Sequence, residues 1–443
     1  MIVTSLSVEN YKSLRSVAVT PGPLSVVVGA NGSGKSNLAD CIDFISEVYR
    51  YGLEVAVARK GGYENIAHRK QRRSKGAMTI ALEVELHTDD FKRSRRAAKT
   101  EVPPLRIRHY FSFRAKGYSI RAEFAVERER IDISTRHADQ WRPVATVRRE
   151  GKQLTFESEH DVSTTSELSI TQEVQPYGRL LDLNELKFFT ERKQSLSDSE
   201  LFAVAIGRFV PSLTAFTGAV GAMRVFQISP TESREFGVPI PNPELGRFGG
   251  DLPAVVDMLS TKHRQAWSVV MESMKRILPG LENIEVEYTP ARTLGLFFRE
   301  ASTGRPWTVA EVSDGTIHTL ALLVAIFDPR STTLVIEEPE NSVHPWIIRN
   351  ILSACEEASK KKQIVITTHS PIVMNHVRPE SVLVIWRSQG ESKLERLEKL
   401  DPDFLRLWTD GKVATFDYLD SGALPQAIPP EPATGEPHNE PSE

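Results

Sequence analysis

Apolar residues along the chain fall into two rhythms, one of period two and one of period three to four, and their alternation lays out the elements. Residues 1–9 alternate as a strand with one exposed face, and ENYKSLRS turns the chain, carrying Tyr11, Lys12, Ser13 and Arg15, toward the apolar run Leu24–Val28. A glycine-rich turn follows, and from Lys35 the apolar spacing becomes helical. The strand MTIALEVEL, residues 78–86, lies between two basic stretches. From about 104 to 157 the segments alternate around turn signals at Lys116-Gly117 and Glu150-Gly151, which predicts an antiparallel meander with one solvated face.

Residues 160–178 carry little apolar pattern and read as a loop. Residues 179–224 and 251–278 have helical spacing, interrupted by the proline-rich stretch 228–250, and predict a largely helical insertion without a coiled-coil heptad run. The last third returns to alternation: strands IEVEYT and LGLFFREA, a helix over 315–327, strand TTLVIE, a helix over 345–360, strand QIVITT, a short helix at Pro371 and strand SVLVIW. Apolar strands separated by such helices predict a parallel sheet covered on both sides. The stretch beyond Pro425, rich in Pro and Glu, has little to bury and reads as disordered.

At 443 residues with 40% hydrophobic content, the chain is long enough for two or three domains or for one large domain with an insertion. No apolar run is long enough to cross a membrane, and no leader precedes the first strand, so no membrane partner is expected. Cys41 and Cys355, both at apolar helical positions, point to a reducing, cytoplasmic setting without disulfides. The formal net charge of -3 hides an asymmetry, because residues 1–150 hold 27 Lys/Arg against 17 Asp/Glu. Two loops concentrate that excess, one with Arg69, Lys70, Arg72 and Arg73 and one with Arg95 and Arg96. They suit contact with a nucleic-acid backbone, or with an acidic partner, rather than base-specific readout.

The candidate chemistry starts at the glycine turn. Gly29, Gly34, Lys35 and Ser36 fill the pattern G-x-x-x-x-G-K-[ST] between a strand and a helix. Backbone amides of such a turn, with the positive end of the helix, cradle a polyphosphate. Lys35 supplies a charge for the β- and γ-phosphates and Ser36 a hydroxyl for Mg²⁺; Asn31, Gly32, Gly34 and Asn37 belong to the same nucleotide-binding set, and Lys12 and Ser13 stand in a loop close to it. TTLVIEEPE ends an apolar strand in two carboxylates, Glu337 to hold the metal and Glu338 to activate the attacking water. His369, at the end of QIVITT, shares that sheet edge and can reach a γ-phosphate. Ser313, Asp314 and Gly315 open a second helix whose N-terminus suits an anion that its own subunit does not supply.

These motifs in this order resemble the ABC-type ATPases of the RecF/SMC branch, and in particular the compact OLD-like and PtuA-like ATPases of bacteria. NYKSL resembles the N-terminal nucleotide loop, GANGSGKS the Walker A, SDGT the signature loop, IEEPE the Walker B and TTHSP the switch-histidine loop. Glu337 stands where aspartate is commoner, and the signature lacks a Gly-Gly pair. The resemblance implies an α/β fold, an ABC-type P-loop ATPase head built as a mixed sheet with an antiparallel β lobe, carrying a helical insertion. The halves of the head would span 1–158 and 280–400, the insertion 159–279, a C-terminal extension 401–424 and the tail 425–443. It further implies ATP and Mg²⁺ as ligands and a homodimer, or a higher oligomer, in which Ser313 and Gly315 of one head touch the γ-phosphate held by Lys35 of the other.

Three functions are compatible with this reading. An ATP-driven dimeric switch acting on DNA, or controlling a separate nuclease or toxin in antiphage defence, fits best; the short patterned stretch after residue 390 leads us to expect any nuclease on another chain. A RecF-like repair ATPase that loads a partner on DNA comes next, with a non-enzymatic ATP-gated scaffold as a further alternative. A transporter ATPase is disfavoured, since the long insertion and basic lobe have no role there.

Overall fold

The computed structural model describes residues 1–68, 76–91, 104–117, 123–137, 139–158, 183–191 and 196–427. Its strands are β1 (Ile2–Tyr11), β2 (Leu14–Val19), β3 (Leu24–Val28), β4 (Met78–Leu86), β5 (Leu105–Ala115), β6 (Phe124–His137), β7 (Gln140–Glu150), β8 (Gln153–Ser158), β9 (Arg224–Phe226), β10 (Leu281–Tyr288), β11 (Leu294–Glu300), β12 (Trp307–Thr308), β13 (Thr333–Glu337), β14 (Gln363–Thr368), β15 (Val382–Ser388) and β16 (Glu391–Arg396).

The alternating strands of the first third pair into a seven-stranded antiparallel sheet, in the order β2-β1-β4-β5-β6-β7-β8. The continuous apolar runs behave differently, because a strand buried on both faces needs apolar residues at every position. They form a six-stranded sheet in the order β16-β15-β3-β14-β13-β9, parallel except for β16. Successive side chains of these strands enter opposite cores. Val27, Val335, Val365 and Leu383 face the helix Lys35–Tyr51 and the antiparallel lobe, whereas Val26, Leu334, Ile364 and Val382 face the helices Asp314–Phe327 and Pro345–Ser359. The helix Lys35–Tyr51 is therefore held between the two large sheets, with Leu38, Cys41, Phe44, Ile45 and Val48 buried.

Direct hydrogen bonds help fix the sheets to each other. The buried Gln363 side chain imitates a strand partner, accepting from Val3 N at 2.6 Å and donating to Val3 O at 2.9 Å and Pro21 O at 3.1 Å. Near the glycine turn, Ser392 N donates to Ser13 O at 2.8 Å.

Two features go beyond the patterns. At the end of the segment of helical spacing, Arg224–Phe226 forms β9 and pairs in parallel with β13 at the edge of the main sheet. IEVEYT and LGLFFREA do not enter that sheet; they become β10 and β11 of a separate three-stranded antiparallel sheet. Among the described residues, no helix is long and apolar enough to cross a membrane.

Candidate functional site

The site grows from the carboxyl ends of β3, β13 and β14, where ligands of open parallel sheets bind. After β3 the chain turns through residues 29–34. Gly34, at φ 115° and ψ 13°, adopts a conformation that an L side chain resists, and a Cβ there would come within 2.2 Å of Ser392 Oγ. At Gly29 a Cβ would meet Ile385 O at 2.0 Å, so β15 closes the loop from behind. The helix that follows has no capping side chain and no acidic residue in its first turn, so the chain itself does not neutralise its positive end.

Lys35 folds back over this loop, donating from Nζ to Gly29 O at 2.8 Å and Ala30 O at 3.2 Å. Burial pulls its pKa down to about 8 against the opposing pull of Glu338 and Glu340. Ser13 and Asn37 lie in a hydroxyl network on which the loop rests. Asn37 Nδ2 donates to Ser13 Oγ at 2.7 Å, the Ser13 and Ser392 hydroxyls are 2.7 Å apart, and Ser392 Oγ donates to Ser33 O at 2.6 Å.

The acids arrive on the neighbouring strands. Glu337 closes β13 at 3% exposure, and burial raises its pKa while Arg247 and the Ser36 hydroxyl, both hydrogen-bonded to it, work the other way. Glu338, one residue on, has φ 47°, unusual for a residue with a side chain and a form of local strain that clusters at functional sites. Its amide is tied to Thr367 O at 2.8 Å, its Oε2 accepts from Asn341 Nδ2 at 3.0 Å, and its Oε1 lies 3.9 Å from His369 Nε2. Glu340 holds the end of β14, accepting from Thr368 Oγ1 at 2.6 Å and His369 N at 3.1 Å. Burial and then Lys35 lower the pKa of His369, which favours the neutral ring. Lys35, Ser36, Glu337, Glu338 and His369 thus share one sheet edge.

Lys12 does not point a free ammonium at the glycine turn. It pairs with Asp40 on the helix Lys35–Tyr51, beside Lys60, which lies 2.8 Å from Asp40 Oδ1 and 2.7 Å from Asp43 Oδ2. The Tyr11 hydroxyl donates to Asp40 Oδ2 at 2.7 Å. Burial pushes the Asp40 carboxyl up, but hydrogen bonds from Lys12, Lys60 and Tyr11 prevail and hold it well below the usual range. Ser36 and Glu337 offer a hydroxyl and a carboxylate in contact, the hard-oxygen pair Mg²⁺ takes from a protein when phosphates and water complete its shell, so the donor set fits that ion. Among the described residues no cluster of three or more His, Cys, Asp or Glu could hold a metal by protein side chains alone.

The helix Asp314–Phe327, the candidate signature helix, starts under different conditions. Ser313 caps it, accepting from Thr316 N at 3.1 Å, and Arg234 Nη2 holds Val312 O at 2.9 Å and Asp314 Oδ1 at 2.7 Å. A Cβ on Gly315 would meet Ser342 O at 3.1 Å, so this turn packs against the chain leaving the Glu337-Glu338 pair. One turn on, burial lowers His318 to a pKa of about 4, leaving a neutral imidazole in the core. Among the described residues, the hydrogen bonds and ion pairs of Ser313, Asp314 and Gly315 run to Arg234 and within their own helix, none to the glycine turn. Arg69, Lys70, Arg72, Arg73, Arg95 and Arg96 lie outside the described residues.

Four site residues escaped the motifs: Asp40, Lys60, Arg247 and Ser392. The signal for Asp40 was its place one turn after Ser36, and for Arg247 its setting among glycines in LGRFGGD. Nothing in the pattern marked Ser392.

A family model described as "AAA domain, putative AbiEii toxin, Type IV TA system" matches residues 24–375, from the strand before the glycine turn to the helix after His369. Among solved structures the chain is similar to an SMC head bound to the C-terminal winged-helix domain of ScpA, at 13% identity and a TM-score of 0.48, over 90% of this chain and 99% of that one. An SMC head domain from Thermotoga maritima matches at 13% identity and 0.39, over 89% and 99% of the two chains. The Pyrococcus furiosus SMC head with an extended coiled coil, bound to the C-terminal domain of ScpA, matches at 12% identity and 0.41, over 93% and 100%. No curated protein sequence matches the chain.

Proposed function

We propose that this chain, which belongs to the AAA-domain family above, binds and hydrolyses ATP as a dimeric switch built on a P-loop head of the ABC and SMC type. The observation that carries the reading is the convergence of Lys35, Ser36, Glu337, Glu338 and His369 on one sheet edge, around a helix start that the chain leaves unneutralised. In this reading the amides of residues 31–37 cradle the phosphates, and Lys35 exchanges its two carbonyl partners for phosphate oxygens. Mg²⁺, held by Ser36 and Glu337, would neutralise charge on the β- and γ-phosphates. Glu338, fixed by Asn341 and by its own strained backbone, orients and deprotonates the attacking water. His369, neutral and anchored through its amide to Glu340, senses the γ-phosphate.

Ser313 and Gly315 complete the site from a second subunit, so ATP draws two heads together and hydrolysis lets them part. The family's printed description, a putative toxin of a type IV toxin–antitoxin system, supports a toxin–antitoxin setting, and the reading extends this to control of a separate toxin or nuclease in antiphage defence. The basic balance of residues 1–150 favours a second reading, a RecF-like ATPase acting on DNA through Arg69, Lys70, Arg72, Arg73, Arg95 and Arg96.

The test separates binding from chemistry. Lys35→Ala should weaken ATP by about a hundredfold or more, since it removes a buried charge from its partner. Glu338→Gln should keep ATP while turnover falls by about 10²–10⁴. A Glu338→Gln protein that hydrolyses ATP at the wild-type rate would remove Glu338 from the mechanism.

A further inference from the structure

Of the charged site residues that no motif accounts for, Arg247 is the one that reaches Glu337. Its Nη2 lies 2.7 Å from Glu337 Oε1, and its Nη1 lies 3.3 Å from Asp43 Oδ2 and 3.6 Å from Asp40 Oδ1. Its Nε is buried and has no hydrogen-bond partner among the described residues. One guanidinium thus serves three carboxylates, and one of them is the acid that also touches Ser36.

The segment that delivers Arg247 is well tied. Gln227 N donates to Arg247 O and Ser229 N to Phe248 O, both at 2.9 Å, continuing the line of β9. Gly246 N donates to Gly250 O at 3.0 Å and Gly249 N to Gly246 O at 2.8 Å, closing the turn. At Gly249, φ 95°, a Cβ would come within 2.1 Å of Ser233 Oγ, so the turn interlocks with the short helix Pro230–Ser233. That helix leads directly into Arg234, which grips Val312 and Asp314 at the start of the signature helix. Residues 227–251 therefore form one arm with an arginine at each of two places: the carboxylate of the nucleotide site and the first turn of the signature helix.

A guanidinium and a divalent cation repel each other when they share one carboxylate. Building on the ATP site above, we propose that Arg247 is a positioning residue, the resident counter-ion of Glu337. When Ser36 and Glu337 hold Mg²⁺, Arg247 would release Glu337, and the released arm would loosen Arg234 from the signature helix. Occupancy of one subunit's nucleotide site would in this way ready its signature turn for the partner's phosphate.

The experiment follows Mg²⁺-dependent binding of a fluorescent ATP analogue to the full chain, with EDTA as the metal-free reference. Arg247→Gln should reach half-maximal Mg²⁺ dependence at about tenfold lower Mg²⁺, because the competing charge is gone, while Arg247→Lys stays near wild type. In the wild type, amide exchange over residues 227–237 and 313–317 should rise with Mg²⁺ and analogue together but not with analogue in EDTA. An unchanged Mg²⁺ midpoint in Arg247→Gln, or unchanged exchange in the wild type, overturns the inference while analogue binding leaves the nucleotide site standing. No analogue binding to the wild type, with or without Mg²⁺, overturns the site itself. The exchange measurement needs no variant, so a substitution that fails to fold does not shield the inference.

Discussion

Two helices of this protein begin at loops that the sequence marks out by motif, yet physically their first turns are opposites. The helix Lys35–Tyr51 starts at Gly34, with no side-chain cap, no acid in its first turn and a lysine as its first residue. The helix Asp314–Phe327 starts at Ser313, whose hydroxyl caps Thr316 N, and carries Asp314 in its first turn, already paired with Arg234. A bare helix end with a cation invites an anion from outside. A capped end with its charges paired is at rest, and must exchange contacts before it can meet a phosphate. In the composite nucleotide site proposed above, the two halves would be prepared unequally: one by its own backbone, the other by a rearrangement.

The contrast can be broken most severely at the second end. Ser313→Arg should leave ATP binding by the glycine turn within about twofold, a surface substitution away from Lys35, yet remove turnover and ATP-driven association. Equilibrium nucleotide binding, steady-state hydrolysis and sedimentation with ATP measure the three effects. Mixing this variant with Lys35→Ala should restore part of the activity, since exchanged heterodimers hold one site free of both lesions. A Ser313→Arg protein that hydrolyses ATP normally as a monomer would sink the shared site.

A smaller effect sharpens the first end. With the Lys35 pKa drawn down to about 8, the free protein loses this charge as pH rises through that value. Phosphate favours the charged form, so ATP affinity should fall by about fivefold from pH 8 to pH 9, and binding above pH 8 should take up a proton. Calorimetry in buffers of different ionisation enthalpy reads both, and an affinity that stays flat to pH 9 contradicts the lowered pKa. The smallest effect belongs to the cap: Ser313→Ala should cost about 1 kcal/mol of stability, visible as a lower denaturant midpoint. The matching substitution Gly34→Ser should gain no cap stability, because at φ 115° the new side chain is strained and meets Ser392 and Ser13.

Much of the architecture was legible. Alternation in β5, β6 and β7 announced a lobe with one solvated face, and unbroken apolar runs in β13, β14 and β15 announced strands covered on both sides. β9 was not legible, since three residues at the end of a helical pattern cannot establish a period. Nor was the separate sheet of β10 and β11, because alternation reports how many faces are buried and not which strand is the neighbour.

The same division runs through the site. The glycine turn with Lys35 and Ser36, the acid pair Glu337-Glu338 and His369 were determined by the sequence alone, because each is a strand end or turn whose chemistry lies within a few consecutive residues. The tertiary structure alone decided that Arg247 would lie on Glu337, that Lys12 and Lys60 would meet at Asp40, and that Ser392 would support the turn. Those contacts join residues distant along the chain, and a charge or hydroxyl in a loop has no period to declare its partner. The partner follows from where packing of the two cores sets each loop down, and burial then gives the pairing its strength.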